Sequence, residues 1–196
     1  MTGLLFVVIG CAVALLALVV YLQPDHFVVR REAVIDASPR KVFAAINNLH
    51  EWESWSPWAK LDPNAEIRYE GPASGPGATF EWSGDKNVGA GRMTIVDSRP
   101  GERVDLKLDM RKPIAAIHDV SFVLAPEGEA ATEGHWLARA LGFGGGSVAR
   151  KTHVVWSMSG KAGLASKAMC LVLNRDKMVG QRFEQGLENL GARLSK

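Results

Sequence analysis

Val104-Asp105-Leu106-Lys107-Leu108-Asp109-Met110 alternates apolar and charged side chains without a break. A period of two puts Val104, Leu106, Leu108 and Met110 on one face of a strand and the charges on the other. The same period recurs upstream. Ala65, Ile67 and Tyr69 alternate with Glu66, Arg68 and Glu70, and Ala78, Phe80 and Trp82 with Thr79, Glu81 and Ser83. Gly91–Ser98 then places Met93 and Ile95 together, and downstream 116–124 and 151–159 read as further strands. Turns at Gly71–Gly77, Gly84-Asp85 and Pro100-Gly101 separate several of them. Strands joined in this way predict an antiparallel meander with one buried face and one wet face.

The flanks complete the pattern. Phe27–Asp36 is β-rich and opens the domain as a strand. Ser38 then supplies an N-cap and Pro39 a first helical residue, and Val42, Phe43, Ile46 and Leu49 recur at helical spacing. His50–Leu61, broken by Pro57, reads as a second short helix or turn. At the far end Val179, Phe183, Leu187, Leu190 and Leu194 mark one face of a long helix, with Ala168–Leu173 extending it backward. Gly180 and Gly186 each cost that helix about 1 kcal/mol of propensity relative to Ala, so packing must hold it. This order predicts an α+β fold, a curved antiparallel sheet around a long C-terminal helix with two short helices after the first strand.

The N-terminus has another character. From Thr2 to Pro24 there is no charged side chain. Gly3–Gln23 would form a helix about 31 Å long, against a hydrocarbon core of roughly 30 Å. The expectation is a transmembrane anchor over residues 1–24, contacting the bilayer through residues 3–23, ahead of a domain over 25–196. A cleaved signal peptide competes, weakened by the lack of a basic n-region and of an A-x-A-like site before Pro24. A buried core helix is a third reading, disfavoured because the segment is apolar on every face. Arg30, Arg31, Arg40 and Lys41 follow the segment, so a single-pass arrangement would face the domain toward the cytoplasm.

Composition narrows the function. A net charge of +2 over 196 residues argues against a nucleic-acid surface. Cys170 is the only cysteine outside the N-terminal segment, which excludes an internal disulfide framework, and its apolar surroundings suggest an inert thiol. His26, His50, His118, His135 and His153 show no metal-ligand spacing, so no metal is expected. Gly142–Gly146 lacks the Lys-Ser/Thr of a phosphate loop, and no cofactor is expected.

Several stretches carry a family resemblance: Val34–Phe43 (VIDASPRKVF), Trp52–Asp62 (WESWSPWAKLD), Tyr69–Pro72 with Gly75–Ala78, Val88–Ile95 (VGAGRMTI), Val155–Gly160 (VWSMSG) and Asp176–Leu190 (DKMVGQRFEQGLENL). Together with the order of elements they resemble the START-like, or SRPBCC, helix-grip superfamily, and within it the polyketide cyclase/dehydrase-like proteins. Some relatives carry a single N-terminal hydrophobic helix. The resemblance implies an apolar cavity between sheet and long helix that holds a hydrophobic ligand, and does not imply one chemistry.

The strand parities say what would line such a cavity. Tyr69, Phe80, Trp82, Met93, Leu106, Leu108 and Met110 face inward from the first part of the meander. His118, Val120, Phe122, Trp156 and Met158 follow from the later strands, and Met169 and Leu173 from the terminal helix. Aromatics and flexible methionines suit a pocket that adapts to apolar guests, yet the same residues could simply fill a core. Arg31, Tyr69 and His118 are the polar members of the inward set, and an inward charge needs a partner. They are the candidates for catalysis or for orienting a ligand's head. Trp52, Trp55 and Trp58 either edge the mouth, touch lipid, or pack the short helices onto the sheet. Glu127–Arg150 lengthens a turn that is tight in the family, and Ala131–Leu141 within it reads as a short helix, hence a lid or docking loop, or as a disordered tract. The expected function is membrane-anchored, non-covalent binding of a hydrophobic small molecule or lipid. A cyclase or dehydratase using Arg31, Tyr69 and His118 stands beside it, as does a protein-interaction or stress module with a collapsed cavity.

Overall fold

The computed structural model describes residues 2–127, 151–164, 166–168 and 174–195, with the side chains at 2, 4 and 5 left aside. The expected helix at Ala131–Leu141 and the lid role of 127–150 lie outside the described residues but for Glu127, as do Met169, Cys170 and Leu173.

Seven strands form one sheet: β1 (His26–Ile35), β2 (Glu66–Glu70), β3 (Thr79–Ser83), β4 (Ala90–Arg99), β5 (Arg103–Lys112), β6 (Ala116–Pro126) and β7 (Thr152–Lys161). Their order is β1-β7-β6-β5-β4-β3-β2, and every pairing is antiparallel. The meander thus runs as its alternation predicts, and the first strand pairs with the last. Register shifts between β4 and β5, at Ala90/Gly91 and Ile95/Asp97, bend the sheet where irregular pairing adds local twist.

Helix α1 spans Thr2–Tyr21, α2 Pro39–Asn47, α3 Trp52–Trp55 and α4 Arg175–Leu194, with a 3₁₀ turn at Leu49–Glu51. Ser38 is the N-cap of α2 by backbone conformation, with Pro39 at the first helical position, although its hydroxyl makes no capping bond. Asn174 caps α4, its side-chain oxygen accepting from the Lys177 amide at 3.0 Å. The buried face of α4 is Gly180, Phe183, Gly186, Leu187 and Leu190; of the expected stripe Phe183, Leu187 and Leu190 are buried, whereas Val179 and Leu194 are half-buried.

The transmembrane helix expected over residues 3–23 is not upheld, nor is the single-pass membrane localisation built on it. Among the described residues no helix is long and apolar enough to cross a membrane. The cytoplasmic orientation falls with the span, because it rested on the charges flanking it.

The core lies between the sheet, α4 and the short helices. Trp55, Phe122, Trp156, Phe183, Leu187 and Leu190 are all essentially fully buried there. Trp156 stacks on Phe183 with centroids 4.1 Å apart, and Phe122 lies 4.7 Å from Trp156. The indole N–H of Trp52 donates to the Ile46 carbonyl at 2.8 Å and that of Trp55 to Ala45 at 3.3 Å, fastening α3 to α2. Asn189 donates to the Trp55 carbonyl at 3.1 Å and joins α4 to the same cluster. Each fully buried large side chain stabilises the fold by about 1.5–3 kcal/mol. The space directly beneath the middle of α4 is therefore occupied by the protein's own rings.

Candidate functional site

Strand register resolves the inner face into rows that run across the sheet. One row joins Val29, Met158, Val120, Leu106 and Ile95, and hydrogen bonding carries it on to Ala78. Every member of it is at most 7% exposed. Beside it lies a row that crosses all seven strands: Phe27, Gly160, His118, Leu108, Met93, Phe80 and Tyr69, each the register partner of the next. Every member of this second row is only half-buried. A third row follows at the rim, with Ala116, Met110, Gly91, Trp82 and Ile67. The inner face is thus closed in one half and open in the other, and the boundary falls between two adjacent rows.

The open half is aromatic at the β2–β3 end. Tyr69 and Phe80 have centroids 5.5 Å apart, and Phe80 stacks on Trp82 at the same distance. The Trp82 ring lies across Gly91, where a Cβ would come within 2.7 Å of it, and its N–H donates to the Val88 carbonyl at 3.1 Å. Tyr69 stacks on His50 at 3.7 Å and donates its hydroxyl to Glu53 at 2.9 Å. Burial, and then that hydrogen bond, raise the Tyr69 phenol above its ordinary pKa.

At the other end the imidazole of His118 lies against Gly160, where a Cβ would overlap its Nδ1. Nδ1 is buried and has no hydrogen-bond partner. Phe27 meets the imidazole edge-on at 5.3 Å, and the guanidinium of Arg175 sits over the Phe27 ring at 4.0 Å. Burial, with a smaller contribution from the Arg175 charge, lowers the His118 pKa below 6.5, which favours the neutral ring.

The residues expected from sequence divide along the same boundary. Tyr69, Phe80, Trp82, Met93, Leu108, Met110 and His118 are half-buried and belong to the open half. Leu106, Val120, Phe122, Trp156 and Met158 are buried in the closed half. Arg31 shares the inward parity, but its donors are taken up beneath α4. Nε donates to Glu184 at 2.6 Å, Nη2 to Asp176 at 2.9 Å, and Nη1 to the Arg30 carbonyl at 2.7 Å. Arg31, Tyr69 and His118 share no partner. His118 lines up through Gly160 with Phe27, four residues along β1 from Arg31, or about 13 Å. Tyr69 stands four strands away from His118, about 19 Å along the sheet.

Phe27, Gly160 and Arg175 join the site only in the folded structure: the pairing of β1 with β7 and of β7 with β6 brings Phe27 and Gly160 beside His118. Nothing in the helical spacing separates Arg175 from the solvated charges around it.

No family model matches the chain, and no curated protein matches it either. Solved structures do. Major latex-like protein 151 from Panax ginseng superposes with a TM-score of 0.56 at 11% identity, over 87% of this chain and 99% of that one. Protein CV1439 from Chromobacterium violaceum gives a TM-score of 0.54 at 13% identity, over 89% of this chain and 99% of that one. Aha1 from Colwellia psychrerythraea, solved as a dimer, gives 0.53 at 16% identity over 86% and 96%. At these identities the likeness is one of architecture. The seven-stranded antiparallel sheet with its C-terminal helix has the helix-grip fold.

Proposed function

We propose that this protein binds a hydrophobic small molecule non-covalently along the open half of its inner sheet face. One observation carries the reading. A continuous, in-register row of apolar and aromatic side chains is only partly buried, directly beside a row that is sealed. Apolar surface left uncovered across several strands gains about 25 cal/mol per Å² when a guest removes it from water. Concave apolar surfaces with a few polar groups at their margin are the usual form of small-molecule sites. No observation favours the cyclase or dehydratase reading, because Arg31, Tyr69 and His118 stand more than about 10 Å apart along the sheet and do not converge.

The test is titration of the full chain with the fluorescent apolar probe N-phenyl-1-naphthylamine. Saturable binding is expected, weakened about tenfold or more by Met93→Glu, which sets a charge in the middle of the row. Leu106→Ala, in the sealed row, should leave probe affinity within about twofold. Absence of saturable binding, or an affinity unchanged by Met93→Glu, overturns the reading.

A further inference from the structure

The open row has chemically different ends, and they define the guest more narrowly. At the β2 end Tyr69 is tied to Glu53, which places a carboxylate beside the trough. At the β1 end stands Arg175, whose guanidinium is half-buried over Phe27 and, among the described residues, donates to Ser166 alone, through the carbonyl at 3.5 Å and the hydroxyl. No carboxylate pairs with it among the described residues. The neighbouring carboxylates are engaged elsewhere: Asp176 is bonded to Arg31, Asp119 to Lys107 at 2.5 Å, and Asp25 to Lys167 at 2.5 Å. His118 meets the same Phe27 ring as Arg175, with its Nδ1 closed against Gly160, so a hydrogen bond from this ring to a guest must come from Nε2.

We infer that the guest is an amphiphile with a carboxylate head, held at Arg175 and His118, and an apolar chain laid over Leu108, Met93 and Phe80 toward Tyr69. The inference rests on the proposed function and deepens it. A guanidinium without an anionic partner, beside a donor whose other nitrogen is blocked, is suited to accept a carboxylate through charge-assisted hydrogen bonds. Glu53 at the opposite end repels the same head and sets the direction. From His118 to Tyr69 the trough crosses four strand spacings, about 19 Å, which suits a long chain rather than a compact ring system.

The experiment compares hexadecanoate with hexadecan-1-ol, each displacing N-phenyl-1-naphthylamine from the full chain. The wild type should prefer the carboxylate by about tenfold, the scale of one hydrogen bond to a charged group. Arg175→Gln should bring the two affinities within about twofold by weakening the carboxylate alone, and Arg175→Lys should restore part of the preference. Equal affinities in the wild type, or a preference that survives Arg175→Gln, overturn the head-group assignment and leave apolar binding standing. If the probe binds but neither compound displaces it, the head-group assignment falls and apolar binding stands; if the probe itself does not bind, both fall. Circular dichroism of Arg175→Gln and its unchanged affinity for the alcohol separate loss of the head contact from loss of the fold.

Discussion

Gly180 and Arg31 occupy one shared space: a Cβ at position 180 would overlap the Arg31 guanidinium and come within 2.7 Å of its Nε. The helix therefore lies directly on the guanidinium. Asp176 and Glu184 reach down from either side to hold it, and the glycine between them is what lets α4 approach β1. Gly180→Ala should destabilise the protein by about 1–3 kcal/mol despite Ala's better helix propensity, because an ion-paired side chain must be displaced. Urea unfolding checks this. A midpoint equal to or above wild type would show that Arg31 yields freely.

The glycines of α4 differ, and the difference can be measured. At Gly186 a Cβ would meet the Trp156 ring at 2.7 Å and Pro57 at 3.1 Å, both rigid groups within the core. At Gly191 it would meet only Ile35, at an ordinary 3.9 Å. Gly186→Ala should cost about 1–3 kcal/mol, whereas Gly191→Ala should gain up to about 1 kcal/mol from helix propensity. Opposite shifts of the unfolding midpoint are expected. A stabilising Gly186→Ala would contradict the close packing of α4 on Trp156.

Two leucines on the same strand test the boundary between rows. Leu106 is 1% exposed, whereas Leu108, two residues on, is half-buried. Leu106→Ala should cost about 2–5 kcal/mol, and Leu108→Ala less than about 1.5 kcal/mol. Equal losses would mean that the second row is as closed as the first.

Hydrogen bonding to Arg31 holds the Asp176 carboxyl below its ordinary 3.8; burial opposes it, and the Arg31 charge adds a smaller lowering. A carboxylate with a depressed folded-state pKa contributes stability above its unfolded value and loses it as pH falls through the folded value. The wild type should therefore lose stability as pH drops below about 4, and Arg31→Gln should flatten that acid limb. Urea midpoints at neutral pH and across the acid range measure it. An acid limb of the same slope in the variant would assign it to other carboxylates.

For His118 the sign is set by a lowered pKa. The unfolded chain takes up the proton first as pH falls through about 6.5, so this residue's contribution is present above that value and lost below it. An NMR titration of its Cε1 proton should show a midpoint under 6.5. Arg175→Gln should raise that midpoint, since the neighbouring positive charge is one of its causes. A midpoint at or above 6.5 in the wild type would place the ring in contact with water or an acid instead.

Alternation and helical spacing determined the order of elements, the inward parity of each strand and the buried stripe of α4. These follow from local geometry, a period of two for strands and 3.6 for helices, which short stretches of chain already express. Parity alone could not tell Leu106 from Leu108, because both face inward and differ only in what lies above them. The row from Phe27 to Tyr69 depends on register between strands far apart in sequence, β1 with β7 above all. The partnering of Arg31 and the placing of Arg175 over Phe27 depend on where α4 crosses the sheet. Long-range contacts settle these matters, since burial and electrostatics act through space between groups that the chain order does not relate.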